Sequence, residues 1–370
     1  MADSPRPPGI RTLRTERQDR LDLLIFDAYR DGHRRDYFRV LRRVLGGRIV
    51  WGRPGRHWPR LLAARALVCS TCDDYLPAFF VLSLLRSLLG RTTLGLSIRS
   101  ETIFQRTGLA QAMKRTMLRT LRFLPCVKVV TFMPHWAEPR LARYTVDWMY
   151  DLQYWDLAWL NVPAVNSLAT LHETIRMKAA GRQVVTSVGH QRLVKGVEYF
   201  MALFEQEEMR RQFLFVCVGP NWDLDKAKVE QFRSAGGLFI DRELRDDEIV
   251  PIYAMTDVVW ACYRPDYDQS SGIFGRAMQL GKPCIVREGS YLSVLQAGLG
   301  KQGAAVTYGQ PEQAAAMLAA GVMGNRQAQH VVDTARTTGA LFRFLGLVDR
   351  PAFAPGRPAA ETESADRRCQ

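Results

Sequence analysis

Cysteine is scarce and unpaired in this chain of 370 residues. The seven (Cys69, Cys72, Cys126, Cys217, Cys262, Cys284 and Cys369) are odd in number and sit mostly inside apolar runs. That is no disulfide framework, and it leads to the expectation of reduced thiols in a cytoplasmic protein. Cys69 and Cys72 form a lone C-x-x-C without a second pair or nearby histidines, so the simpler reading is a strand end with small buried residues. Long apolar runs are missing too: the best, Tyr75 to Leu89, is interrupted by Arg86 and is too short to cross a bilayer. Met1 to Arg20 is polar, without the apolar segment of a secretory signal. No helix-turn-helix, zinc-finger spacing or RNP-type motif occurs, and the aromatics between Trp148 and Trp159 alternate with aspartate and not arginine. A nucleic-acid partner is therefore not expected. There is no short tandem repeat.

Acidic residues are short in one half only. The net charge is +14, and residues 1–180 carry 29 basic and 15 acidic side chains against 22 of each in 181–370. An acidic partner should therefore meet the first half. Apolar runs that read as strands recur at 23–26, 48–51, 66–70, 93–98 and 127–132, then at 183–188, 213–218, 238–240, 258–261, 284–286 and 304–306. Amphipathic or apolar helical stretches separate many of them. Strand followed by helix, repeated, predicts an α/β chain of two doubly wound Rossmann-like domains with parallel sheets. The expected division is a mobile basic segment at 1–20, a first domain at 21–164, a second at 165–325, a helix at 326–349 returning to the first domain, and a disordered tail at 350–370. The Trp- and Asp-rich segment 142–164 reads as the crossover between domains.

Two loops carry chemistry. Asp268-Gln-Ser-Ser-Gly272 follows the strand 258–261 and opens a helix, putting Ser270, Ser271 and Gly272 at its N-terminus. Free backbone N–H groups there favour a phosphate, and Arg276 lies one turn further on. A plain serine N-cap on a buried helix is the competing reading. Val188-Gly-His-Gln-Arg-Leu-Val-Lys-Gly196 joins the first strand of the second domain to its first helix, bringing Gly189, His190, Arg192 and Lys195 to the ligand-binding edge of such a sheet. A solvated basic turn competes here, above all for Arg192. Gly219 and the segment Asp241-Arg242-Glu243-Leu244 end further strands of the same domain, and together these loops describe a nucleotide-diphosphate cleft.

Over about residues 180–310 the chain resembles the family-4-like glycosyltransferases of the GT-B fold. Gly189 to Gly196 is similar to that family's G-R-x-x-x-x-K-G loop, with Lys195 on the phosphate-binding lysine and His190 where arginine is usual. Asp246 to Asp257 resembles its D-D-E…Y-A-x-x-D segment. Asp268 to Pro283 resembles its E-x7-E region followed by A-M-x-x-G-K-P, with Asp268 for the first glutamate and Arg276 for the second. The resemblance implies transfer of a sugar from a nucleotide-diphosphate sugar with retention, to a glycan, lipid-linked or small acceptor, with no required cofactor or metal. It implies donor binding by Gly189, His190, Arg192, Lys195, Gly219, Arg242, Leu244, Ser270, Ser271, Gly272 and Arg276. Asp268, Lys195 and Arg276 are expected to be catalytic, with His33, Arg99 and Glu101 on the acceptor side. The pairs Asp223-x-Asp225 and Asp266-x-Asp268 are not taken as metal sites. The Arg276 replacement and the lack of histidine in 97–102 leave an alternative: a GT-B protein without transfer activity, acting as a binding or partner subunit.

Residues 111–124 pattern as a basic amphipathic helix, with Met113, Met117, Leu121 and Leu124 on one face and Arg115, Arg119 and Arg122 on the other. Peripheral contact with an anionic membrane through this helix is the expectation, with the stretch Pro77–Leu89 apolar enough to dip into the interface, and an ordinary sheet-packing helix is the alternative.

Overall fold

In the computed structural model, residues 22–29, 33–100, 102–105, 108–158, 169–300, 303–321 and 334–346 are described. The expected segments at 1–20 and 350–370 and residue Glu101 lie outside them. Two six-stranded parallel sheets form, in the orders β2-β1-β3-β4-β5-β6 and β12-β11-β10-β7-β8-β9.

The first sheet comprises β1 (Leu23–Asp27), β2 (Arg48–Trp51), β3 (Ala66–Cys69), β4 (Thr92–Ser97), β5 (Val127–Thr131) and β6 (Asp147–Trp148). Its helices are α1 (His33–Leu45), α2 (Pro54–Ala63), α3 (Leu76–Leu88), α4 (Thr102–Gln105) and α5 (Leu109–Arg122). Strands β1 and β3 are buried along their whole length, as expected of continuous apolar runs between helical layers. Proline at the first turn of α2 and α3 supplies the preset φ where no intrahelical N–H bond is needed.

The second sheet comprises β7 (Gln183–Val188), β8 (Phe213–Val218), β9 (Leu238–Ile240), β10 (Val258–Ala261), β11 (Cys284–Arg287) and β12 (Gly303–Val306). Helices α6 (Ala169–Ala179), α7 (Val197–Phe204), α8 (Glu207–Gln212), α9 (Lys226–Ser234), α10 (Ile249–Met255), α11 (Gly272–Gln279), α12 (Tyr291–Gly298) and α13 (Pro311–Ala319) complete it. Of the helix expected at 326–349, the described part is α14 (Thr334–Phe344); Leu341 in it and Leu345 just after it are buried in an apolar cluster that includes residues of both sheets. A separate aromatic core of Phe200, Phe204, Phe215, Phe232 and Trp260 fills the space between the second sheet and α7 and α9.

The segment 142–164 does more than link. It adds β6 to the first sheet, then winds through two short 3-10 turns (Leu152–Tyr154 and Asp156–Ala158) whose first turn packs against α11.

Candidate functional site: the loop ends of the second sheet

In the second sheet the strand order reverses beside β7. Strands β8 and β9 lie to one side, and the chain then returns to place β10 on the other. The carboxyl ends of β7 and β10 flank that point, where open α/β sheets hold ligands. The loop after β7 and the N-terminus of α11 meet there: a Cβ added to Gly189 would stand 3.3 Å from Lys195 Nζ and 3.6 Å from Ile273 Cδ1. Gly219, after β8, closes the same edge. Its φ is +134° and a Cβ would fall 2.1 Å from the Gly189 carbonyl oxygen, so only glycine lets the two loops touch.

Lys195 is half-buried and donates to no described residue. Burial pulls its ammonium down to about 8, with repulsion from Arg192 adding to the effect. Ser271 is the N-cap of α11: its hydroxyl accepts from the N–H of Phe274 (3.3 Å) and shares a hydrogen bond with Tyr263 (2.7 Å). The backbone N–H groups of Gly272 and Ile273 donate to no described residue. A cation without a partner, a glycine cradle and two open amides at a helix N-terminus converge on one spot, which is what an anion needs. Ser271 caps α11, as the plain N-cap reading expects, and the two amides behind it donate to no described residue.

The remaining sequence-derived residues divide by their partners. Ser270 donates to Asp151 (2.9 Å) and bonds Tyr154 (3.2 Å), so it faces the crossover segment. Arg276 is mostly buried and reaches Asp36 of α1 (2.7 Å) and Asp156 of the crossover (2.9 Å). Burial works against its charge, but Asp156 and Asp36 outweigh it and raise its pKa further. Arg276 thus pairs with carboxylates of this chain where the sequence pointed to a ligand phosphate. Arg242 makes a two-bond fork to Glu248 (2.7 Å each), and that hydrogen-bonded pairing holds the Glu248 carboxyl below its usual range. Leu244 is partly buried against the main apolar cluster. His190 lies 3.5 Å from Glu243 and 4.7 Å, ring to ring, from the exposed Trp222, and Arg192 stands over the same ring at 5.6 Å. Asp268 accepts from the N–H of Tyr291 (2.9 Å) and pairs with Arg287 (3.4 Å); burial raises its carboxyl despite both.

In the first sheet, His33 heads α1, and its side chain lies outside the described residues. Arg99 is exposed and approaches Asp74 at 3.8 Å, while its N–H donates to Asp73 (2.9 Å). Sequence reasoning missed the group around it at the carboxyl ends of β1, β3 and β4. Asp27 there accepts from Ser70 (2.6 Å) and Thr71 (2.5 Å), Arg34 pairs with Asp74, and Ser97 donates to Asp73 (2.8 Å). The only available signal was the dipeptide Asp73-Asp74 just after a strand.

The D-x-D aspartates have local tasks: Asp223 accepts from the N–H of Leu193 (2.7 Å) and Asp225 caps α9 through Ala227 (2.8 Å). Cys69 and Cys72 are buried free thiols, and burial pushes Cys69 up to about 12, which suits the packing reading.

No protein-family model matches the chain, and no curated protein matches it in sequence. Solved structures do match in fold. S. aureus MnaA bound to UDP superposes with TM-score 0.59 at 11% identity, over 89% of this chain and 98% of that one. A candidate UDP-N-acetylglucosamine 2-epimerase of Listeria monocytogenes gives 0.56 at 13%, over 88% and 94%. Anabaena HepE in complex with UDP and glucose gives 0.53 at 12%, over 87% and 95%. Two parallel six-stranded sheets in this arrangement are the GT-B fold. At such identities the likeness is one of architecture, and the chemistry has to be argued from the site.

Proposed function

We propose that this chain is a nucleotide-diphosphate-sugar-dependent glycosyltransferase acting with retention. The observation that carries the reading is the convergence of Lys195 with the open amides of Gly272 and Ile273 beside Gly189. As the bond from the anomeric carbon to the diphosphate oxygen breaks, negative charge grows on the leaving group. Preorganised donors at that spot stabilise the transition state more than the bound substrate. UDP in the HepE and MnaA structures supports a nucleotide as the occupant of this fold's cleft. The acceptor hydroxyl enters from the first sheet, where Arg99 and the Asp73–Asp74 pair lie. The charge facing the diphosphate comes from Lys195 and amide groups, so transfer should survive chelation by EDTA. A glycan or lipid-linked acceptor fits the excess positive charge of the first half, and an anionic membrane surface on the inner face of the cell fits it as well.

Fold likeness to a candidate epimerase favours a second reading, alteration of the sugar of a UDP-sugar with no acceptor. Incubation with UDP-, GDP-, ADP- and dTDP-sugars, with and without acceptor glycans, followed by mass spectrometry and NMR of the products, separates the two. Transfer to an acceptor with release of nucleoside diphosphate is the expected result. An epimerised nucleotide sugar without acceptor would replace the transferase reading. Nucleotide binding with no turnover of any donor would point to a binding subunit.

A further inference from the structure

Helix α3 (Leu-Pro-Ala-Phe-Phe-Val-Leu-Ser-Leu-Leu-Arg-Ser-Leu) is apolar nearly all round, a composition that belongs inside a protein. It is the middle of three helices, with α2 packed on one side and α5 on the other. Its inner face is covered, through Leu76, Phe79 and Leu82. Its outer face is exposed: Pro77, Val81, Leu85 and Leu88 recur one turn apart and all reach the surface. Exposure is greatest at the C-terminal end, 85% for Leu88 and 59% for Leu89, and Phe123 at the end of α5 is 76% exposed. Clustered large apolar side chains of this kind mark a binding surface.

The charge that interrupts this run in the sequence does not interrupt it in space. Arg86 turns inward and is fully buried, donating to the carbonyls of Leu61, Ala64 (2.9 Å) and Thr92 (2.6 Å) and to the Thr93 hydroxyl (2.8 Å). It anchors α3 to the end of α2 and the start of β4, and leaves the outer stripe free of charge. Cations flank the stripe instead. Arg53, Arg56 and Arg60 are exposed on and beside α2, and Arg122 on α5.

We propose that the outer face of α3 is the seat of the protein on an anionic lipid bilayer: Leu85, Leu88, Leu89 and Phe123 enter the acyl boundary, and the arginines of α2 and α5 meet the head groups. An apolar ridge between basic helices matches that surface in both chemistry and layout. A protein partner would have to bring its own anionic rim to both sides of the ridge. This moves the contact from the basic face expected on 111–124. There Arg115 donates to the Ile103 carbonyl (2.8 Å) and Arg119 stands over the Tyr144 ring (5.6 Å), so two of its three arginines are occupied, and Met113 is exposed where a covered face was expected.

The test is co-sedimentation of the full chain with phosphatidylcholine vesicles, with and without phosphatidylglycerol. Leu88→Glu combined with Leu89→Glu changes two exposed positions, so the fold should persist. Partition onto the anionic vesicles is expected to fall at least about tenfold, from the lost apolar burial alone. Arg56→Glu with Arg60→Glu should weaken binding and flatten its dependence on salt. Met177→Glu, an exposed apolar residue of α6, should change nothing. UDP binding should be equal in all variants, so this outcome is separable from the transferase reading. Undiminished vesicle binding by the leucine variant would overturn the proposal. So would no binding by the native chain, or a dimer by light scattering that the leucine variant turns into a monomer.

Discussion

Arg276 of α11, a helix of the second sheet's layer, lies 2.7 Å from Asp36 of α1 beside the first sheet, a contact between residues 240 positions apart. The same guanidinium nitrogen reaches the fully buried Asp156, so one cation holds α11, α1 and the crossover together. Arg276→Met would strand the buried carboxylate of Asp156. Removing one member of such a group typically costs about 3–5 kcal/mol, to be read from urea denaturation of the native chain and the variant. Asp36→Asn should cost less, because Asp156 still pairs with the arginine. Equal stability of native chain and Arg276→Met would show that the contact does not hold the domains.

Lys195 should trade stability for binding. Its ammonium is held at about 8 against an ordinary 10.5, so the folded state disfavours the charge that a diphosphate needs. The destabilisation is fully present below pH 8 and fades as pH rises from there toward 10.5, where the unfolded chain also loses the proton. At neutral pH, Lys195→Met is therefore expected to raise the melting temperature of the empty protein. UDP affinity should fall roughly 10- to 100-fold, as for the loss of a charge-assisted contact. Differential scanning fluorimetry with and without UDP reads both effects.

The same group sets a pH dependence. Below pH 8 Lys195 is protonated and meets the diphosphate as a cation. Above it the free protein must take up a proton to bind, so UDP affinity should decline as pH climbs through about 8. Calorimetry in two buffers of different ionisation enthalpy should show proton uptake near that pH. The Lys195→Met variant should show neither the decline nor the uptake.

Gly275 gives a steric test of the crossover. A Cβ there would sit 2.0 Å from the Tyr154 ring and 2.7 Å from the Gln153 carbonyl oxygen. Gly275→Ala must push the crossover off α11, at a cost of about 1–3 kcal/mol in unfolding experiments. Gly272→Ala meets only the end of the Gln153 side chain, which can swing aside, and should cost much less.

The sheets were legible because most of their strands are continuous apolar runs between helical layers: β8 and β10 match their expected bounds residue for residue. Strand β6 was not, since a two-residue strand of Asp147 and Trp148 has no run to detect. In the candidate site, Lys195 and the helix start at Ser271-Gly272 were legible because a lysine in a glycine-flanked loop and a serine-glycine N-cap are each local in sequence. Asp36, Asp151, Gln153 and Asp156 did not. Their roles come from contacts spanning more than a hundred residues, as in Tyr37 to Asp151 (2.8 Å) and Asp151 to Ser270, and no local pattern marks a carboxylate for a distant partner. Arg86 misled for the same reason: a sequence records the charge but not the side to which it turns.

Gln153 carries a consequence for any ligand of α11. Its side-chain carbonyl rests against Gly272, and Tyr154 takes up the N–H of Ser271, so the crossover lies along the rim of the cradle. A donor phosphate that needs the whole helix end must therefore displace the Gln153 amide, which is the free end of a side chain and can swing aside. Substitutions at Gln153, away from any sugar atom, should change donor affinity through that displacement.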